Sequence, residues 1–212
     1  MTEGPHRLRI AVLLSGNGTS LENLLEHIDS GAVDAEVVAV ISSKPEAYGL
    51  ERARQRGIPA LSVPRKDYPD LERFNDALHK ALDDYKVDLI ALLGFLSLFQ
   101  LRGRYLNRVL NVHPALIPAF SGQGFYGKRV YEAVLATGVK VTGATVHFTD
   151  DQYDNGPILL QEAIAVKPDD TPETLAQRVT AVERRLVPRA IQLIAQGRVQ
   201  IREGRTQITP GP

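Results

Sequence analysis

Apolar residues in this chain come in short runs, separated by stretches in which they recur every three or four positions. The runs at residues 8–14, 36–42, 60–63, 87–93 and 108–113 predict strands. Residues 19–30, 47–56 and 70–85 between them predict helices, the last with Leu71, Phe74, Leu78 and Leu82 on one face. Strand and helix in strict alternation are the signature of βαβ units around a parallel sheet, so the fold class is α/β, doubly wound and Rossmann-like. After His113 the pattern changes. A Pro- and Gly-rich loop over residues 114–127 leads to a helix near 130–137, and then to two long strand-like runs at 141–149 and 158–166. A turn-rich connector, residues 150–157, joins those runs. A final helix over 171–196 opens on Asp170-Thr171-Pro172-Glu173, with Pro in the first turn where its missing donor is harmless. Pro188 inside that helix is expected to kink it. No repeat or linker interrupts the pattern, so residues 1–212 are expected to form one domain.

Composition narrows the function classes. Of 212 residues, 43% are hydrophobic and 24% charged, the proportions of a globular protein. Lys plus Arg number 25 and so do Asp plus Glu, a balance that asks for no nucleic-acid partner. The absence of Cys excludes disulfides, thiolate metal sites and a Cys nucleophile. The five His, at positions 6, 27, 79, 113 and 147, show no ligand spacing, so no metal is expected. The apolar run at residues 10–14 is too short for a signal-peptide core, and the run at 89–96 falls far below the ~18 residues that cross a bilayer. A cytoplasmic protein without membrane contact is expected.

In open parallel sheets ligands bind at the carboxyl ends of strands, so the loops after the strands carry the candidate chemistry. The first is Ser15-Gly16-Asn17-Gly18-Thr19-Ser20. Two glycines permit a tight turn, and the amide groups opening the next helix form a phosphate cradle. It is not a Walker loop, because no Lys follows the second glycine, and it lacks the third glycine of a dinucleotide site. The alternative is a tight turn capped by Thr19 with no ligand. The second loop follows Asn111-Val112-His113-Pro114, where an amide and an imidazole two residues apart share a strand face and could donate together to an oxygen becoming negative. The third contains Asp154, a carboxylate able to orient His113, although Asp before Asn-Gly is also ordinary turn chemistry. Thr145 and His147 share one face of their strand, and His147 reads equally as structural or catalytic.

These segments, taken with Gly94-Phe95-Leu96, Ala115-Leu116-Ile117-Pro118, Gly143-Ala144-Thr145-Val146-His147-Phe148 and Asn155-Gly156-Pro157, occur in an order that resembles the folate-dependent formyltransferases. The likeness runs from about Arg9 to Arg198, and the Ser-Gly-Asn-Gly loop narrows it to those acting on glycinamide ribonucleotide. The resemblance implies the formyltransferase fold, a mostly parallel sheet whose later part is partly antiparallel. It implies transfer of a formyl group from 10-formyltetrahydrofolate to the glycyl amine of 5-phosphoribosylglycinamide in purine biosynthesis, by direct attack and without a metal. Asn111, His113 and Asp154 match the family's catalytic trio. Gly18, Thr19 and Ser20 are implied at the substrate phosphate, and Glu183 on the ribose side. Backbone of Leu96, Ser97, Leu98 and Phe99, and of residues 150–154 from Asp150 to Asp154, is implied at the pterin, with Asn111 beside it.

Some positions depart from the pattern. Ser20 stands where relatives carry Asn, and Leu96-Ser97-Leu98-Phe99 replaces Met-Arg-Ile-Leu. Leu71 aligns with an Arg near the folate tail, for which Lys66 or Arg73 would substitute. Residues 120–128 are longer and richer in Gly, as a mobile lid would be. A methionyl-tRNA formyltransferase would add a basic C-terminal domain, and a formyltetrahydrofolate hydrolase an N-terminal regulatory one. Residues 178–205 hold seven Arg against two Glu, which reads as a solvated helix face, an attraction for a polyanionic folate tail, or a subunit contact as in a homodimer.

Overall fold

The computed structural model describes residues 7–211. Residues 1–6 and 212 lie outside the described residues, and with them His6 and most of the N-terminal segment read as lacking a leader.

Five strands, β1 (Leu8–Leu14), β2 (Ala35–Ser42), β3 (Ala60–Ser62), β4 (Leu89–Leu92) and β5 (Val109–His113), are linked through α1 (Thr19–Asp29), α2 (Tyr48–Gln55) and α3 (Leu71–Leu82). After α4 (Lys128–Thr137) come β6 (Val141–Phe148), β7 (Ile158–Ala165) and α5 (Pro172–Ala195). One seven-stranded sheet runs in the order β3-β2-β1-β4-β5-β6-β7. β1 to β5 pair in parallel, and β6 and β7 add antiparallel to β5. The central strands β1 and β4 are buried on both faces, which explains why they read as unbroken apolar runs. Ile10, Val12 and Leu14 of β1 face α1, α2, α4 and α5, while Ala11 and Leu13 face Phe74, Leu78 and Leu82 of α3.

Helix ends follow the local chemistry. Asp70 accepts from the Arg73 amide at 2.8 Å to start α3. Thr171 and Thr174 close a reciprocal capping box at α5. α5 continues through Pro188 as one helix rather than ending there. Proline cannot donate to the carbonyl four residues back, and that carbonyl, on Arg184, accepts instead from Asn23 Nδ2 of α1 at 2.9 Å. A side chain from a neighbouring helix thus replaces the missing bond. The sequence reading omits a final hairpin, β8 (Val199–Arg202) and β9 (Arg205–Ile208). Its turn is Glu203-Gly204, both at positive φ (50° and 72°), the two-residue geometry that matches strand twist.

Candidate active site

The carboxyl ends of β1, β4 and β5 open into one cavity of about 590 Å³. β1 sits between β2 and β4 at the point where the strand order reverses, so the loops leaving it diverge and leave the crevice between them. Ser20, Leu96, Asn111, His113, Asp154 and Glu183 line the cavity. Gly18, Thr19, Ser97, Leu98, Phe99 and Asp150 do not.

The loop after β1 is rigid by construction. Gly18 occupies the N-cap position of α1 in the left-handed region (φ 69°), with no side chain to accept the first amide groups, so the alternative of a Thr19 cap does not form. A Cβ on Gly18 would lie 2.6 Å from Gly49 Cα, because α2 packs directly on the turn. The Gly49 amide donates to Gly16 O at 3.1 Å, and Arg52 Nε donates to Asn17 O at 2.9 Å. The loop after β4 is held equally firmly. Leu96 N donates to Ser15 Oγ at 3.0 Å, Asn75 Nδ2 donates to Leu98 O at 3.1 Å, and Gln100 N donates to Asn75 Oδ1 at 2.8 Å. His79 donates through Nε2 to Gln100 O at 2.7 Å and stacks on Phe99. Leu96 therefore projects to the cavity while the Phe99 ring belongs to the α3-side core. Asp150 turns its carboxylate to the Gln152 amide and the Asn155 side chain.

Asn111 and His113 leave β5 on one face, and antiparallel pairing sets His147 and Thr145 directly opposite them. Asp154 Oδ2 lies 3.3 Å from His113 Nδ1 and accepts from the Gly122 amide at 2.9 Å. Asn111 Nδ2 donates to Asp154 Oδ1 at 3.3 Å and faces His147 Nε2 at 3.1 Å. His147 is fully buried, and its Nδ1 must carry a proton because its partner at 3.0 Å is the Phe148 carbonyl. Nε2 is then the acceptor for Asn111, a role that burial reinforces by pushing the imidazole below its ordinary pKa. His147 thus orients Asn111. Burial works to raise the Asp154 pKa, but the His113 contact and the Gly122 amide outweigh it and hold the carboxyl below its usual range. Thr145 accepts from Ile117 N at 3.1 Å and donates to Ala115 O at 2.7 Å, bracing the segment after His113.

One expectation needs correcting. The paired donors read from the Asn-x-His spacing are not free: the Asn111 amide is committed to His147 and Asp154, and His113 Nε2 donates to Phe120 O at 2.8 Å. Buried donors find acceptors when no ligand supplies one, and the loop carbonyl of Phe120 stands where a substrate oxygen would be placed.

Glu183 enters from the middle of α5. Desolvation raises its pKa to about 7 against the pull of His113, so the side chain can donate a proton or accept one near neutrality. Tyr131 beside it is pushed upward, chiefly by burial.

The chain matches the formyl transferase family over residues 8–191. It belongs to that family. Glycinamide ribonucleotide transformylase 1 from Symbiobacterium toebii superposes with a TM-score of 0.91 at 41% identity, over 99% of this chain and 98% of that one. Phosphoribosylglycinamide formyltransferase of Haemophilus influenzae is 33% identical over 197 residues, 92% of this chain and 91% of its own length. The chicken trifunctional purine biosynthetic protein adenosine-3 is 40% identical over 202 residues, but the chain spans only 19% of that protein.

Part of the cavity wall of this formyl transferase is absent from the sequence reading. Tyr126, with Arg129 5.0 Å over its ring, and Tyr131 come from the loop after Pro118 and from α4. Aromatic and basic residues inside the Gly-rich stretch 122–129 were the available signal. Lys66 and Arg73, the substitutes considered for the folate tail, are not in the wall, and Arg73 lies 3.8 Å from Asp70.

Proposed function

We propose that this formyl transferase moves the formyl group of 10-formyltetrahydrofolate to the glycyl amine of glycinamide ribonucleotide, giving formylglycinamide ribonucleotide and tetrahydrofolate in purine biosynthesis. The observation that carries the reading is the His113, Asp154 and Asn111 cluster in the wall of one cavity, with the bare N-terminus of α1 beside it. The α1 amide groups and Ser20 receive the phosphate, and Glu183 the ribose hydroxyls. The pterin lies along the backbone of Leu96 and the segment before Asp154. The amine nitrogen attacks the formyl carbon, and the oxygen that gains charge takes donors from His113 Nε2, once Phe120 O is displaced, and from the Asn111 amide, once its bond to Asp154 is given up. Asp154 holds the imidazole in place through Nδ1. The amine gives up one proton as the folate nitrogen departs with another, so the cluster ends the cycle as it began. No step is routed through a metal. A cytoplasmic setting and a homodimer belong to the same proposal.

The test is formyl transfer from 10-formyltetrahydrofolate to glycinamide ribonucleotide, with release of tetrahydrofolate as the readout. Turnover that requires both substrates supports the reading. Formate release without an amine would assign a hydrolase, and transfer only to another amine would replace the substrate.

A further inference from the structure

A second cavity, of about 400 Å³, lies beside the turn that leads from α1 into β2. Its walls are the end of α1 and the turn after it (His27, Ala32, Val33), one face of the second half of α5, and the β8–β9 hairpin. The residues contributed by α5 recur at helical spacing, so Arg185, Arg189 and Gln192 point the same way. Three guanidinium groups, Arg185, Arg189 and Arg198, and the His27 imidazole line this cavity, and no carboxylate among the described residues does. That is a strong local excess in a chain of formal charge zero.

Most of these groups are already oriented. Arg198 donates through Nε to Thr209 O at 2.9 Å. Arg185 donates to Ala181 O at 2.9 Å and pairs with Glu162 outside the cavity wall. His27 donates through Nδ1 to Asn23 O at 2.7 Å, which leaves Nε2 for another partner. Gln192 Oε1 accepts from Asp34 N at 2.8 Å, so its amide nitrogen is available to donate. Arg189 has no hydrogen-bond or ion-pair partner among the described residues. Guanidinium forks match phosphate oxygens, and fixed side chains lose less entropy on binding. The rest of the lining is apolar: Val33, Pro188, Leu193 and Ile208. An inorganic ion would use only half of such a cavity.

We propose that this cleft is a second ligand site, separate from the active cavity, and that it binds an organic phosphate: a phosphate monoester whose ring-sized body lies on Val33, Pro188 and Ile208 while Arg189 and Arg198 take the phosphate. It gives a role to Arg185, Arg189 and Arg198 of the Arg-rich tract 178–205, which contributes nothing but Glu183 to the active cavity.

The probe is AMP, titrated calorimetrically at low ionic strength, with adenosine and inorganic phosphate for comparison. Wild type binds AMP more tightly than either fragment. Arg189→Glu, at an exposed position, and Arg198→Gln, at a half-buried one, lower the AMP affinity by about tenfold or more, the effect of losing a charge-assisted hydrogen bond. Glu183→Gln, in the active cavity, leaves it unchanged, whether or not the proposed transferase reaction is correct. No AMP binding to wild type, equal binding by the folded Arg variants, loss in Glu183→Gln, or phosphate binding as tightly as AMP would each overturn the proposal. So would conversion of a dimer to monomers by Arg189→Glu, which would make the cleft a subunit contact.

Discussion

The active cavity has a strand-borne wall and a loop-borne wall, built by opposite means. On the strand side, Asn111 and His113 project from β5 and are matched across the ladder by His147 and Thr145, with every contact fixed by register. On the loop side, backbone at positive φ recurs at Phe120, Gly122, Gly124 and Gly127. The walls are joined by two hydrogen bonds, His113 to the Phe120 carbonyl and the Gly122 amide to Asp154. The strand side positions reacting groups to within hydrogen-bond tolerance. The loop side supplies a cover that must yield when substrate arrives, since its carbonyl occupies the imidazole.

The largest effects should come from breaking the strand side where it does chemistry. His113→Ala and Asp154→Asn remove the proton-transferring pair, and turnover is expected to fall by about 100- to 10,000-fold. Asn111→Ala removes one donor to the developing oxyanion, an expected loss of about 100- to 1,000-fold. Calorimetric binding of glycinamide ribonucleotide should be nearly intact in all three, because none holds the phosphate. A variant that keeps most of its turnover would take its residue out of the mechanism.

This contrast also marks what could be read from the chain alone. Runs without polar alternation announced β1 to β5, and the Asn111-x-His113 spacing announced two side chains on one strand face, because both are local patterns of period two. The partnership of Asn111 with His147 was not legible: it depends on β5 and β6 pairing in one register, which residues 36 positions apart do not declare. Nor was the Phe120 carbonyl, a backbone atom with no signature in residue type. The β8–β9 hairpin did alternate, through Val199, Ile201 and the Glu203-Gly204 turn, but its charged positions hid it among the Arg-rich tail. Glu183 came only through family resemblance, since a Glu on a long amphipathic helix looks like any solvated face.

Glu183 sharpens the comparison because it is helix-borne, as firmly placed as the strand residues, yet held near its titration point. Its pKa of about 7 lies above the ordinary 4.5, so the folded chain keeps a proton that the unfolded chain has already released between those values. Stability therefore falls as pH rises through that window and levels off above 7. A shift of this size corresponds to up to about 3 kcal/mol. Glu183→Gln imitates the protonated form. It should raise the melting temperature relative to wild type at pH 8 and leave it unchanged near pH 4. Equal melting curves at both pH values would mean that the carboxyl is not held in its neutral form.

The smallest expected effect separates the walls most cleanly. Gly124 sits at φ 95°, where side-chain-bearing residues are strained, and a Cβ there would meet no atom within 4 Å. Gly124→Ala therefore disturbs the backbone preference of the loop and nothing else, at a cost on the order of 1 kcal/mol. The strand side is untouched, so the groups that stabilise the transition state keep their places. Substrate must displace this loop conformation, so strain in it weakens the competitor of binding and leaves the bound state alone. KM for both substrates then falls, by up to about fivefold for 1 kcal/mol, while kcat holds. Steady-state kinetics with each substrate varied in turn reads the split. A fall in kcat at constant KM would place the loop in the chemical step and erase the distinction between the two walls.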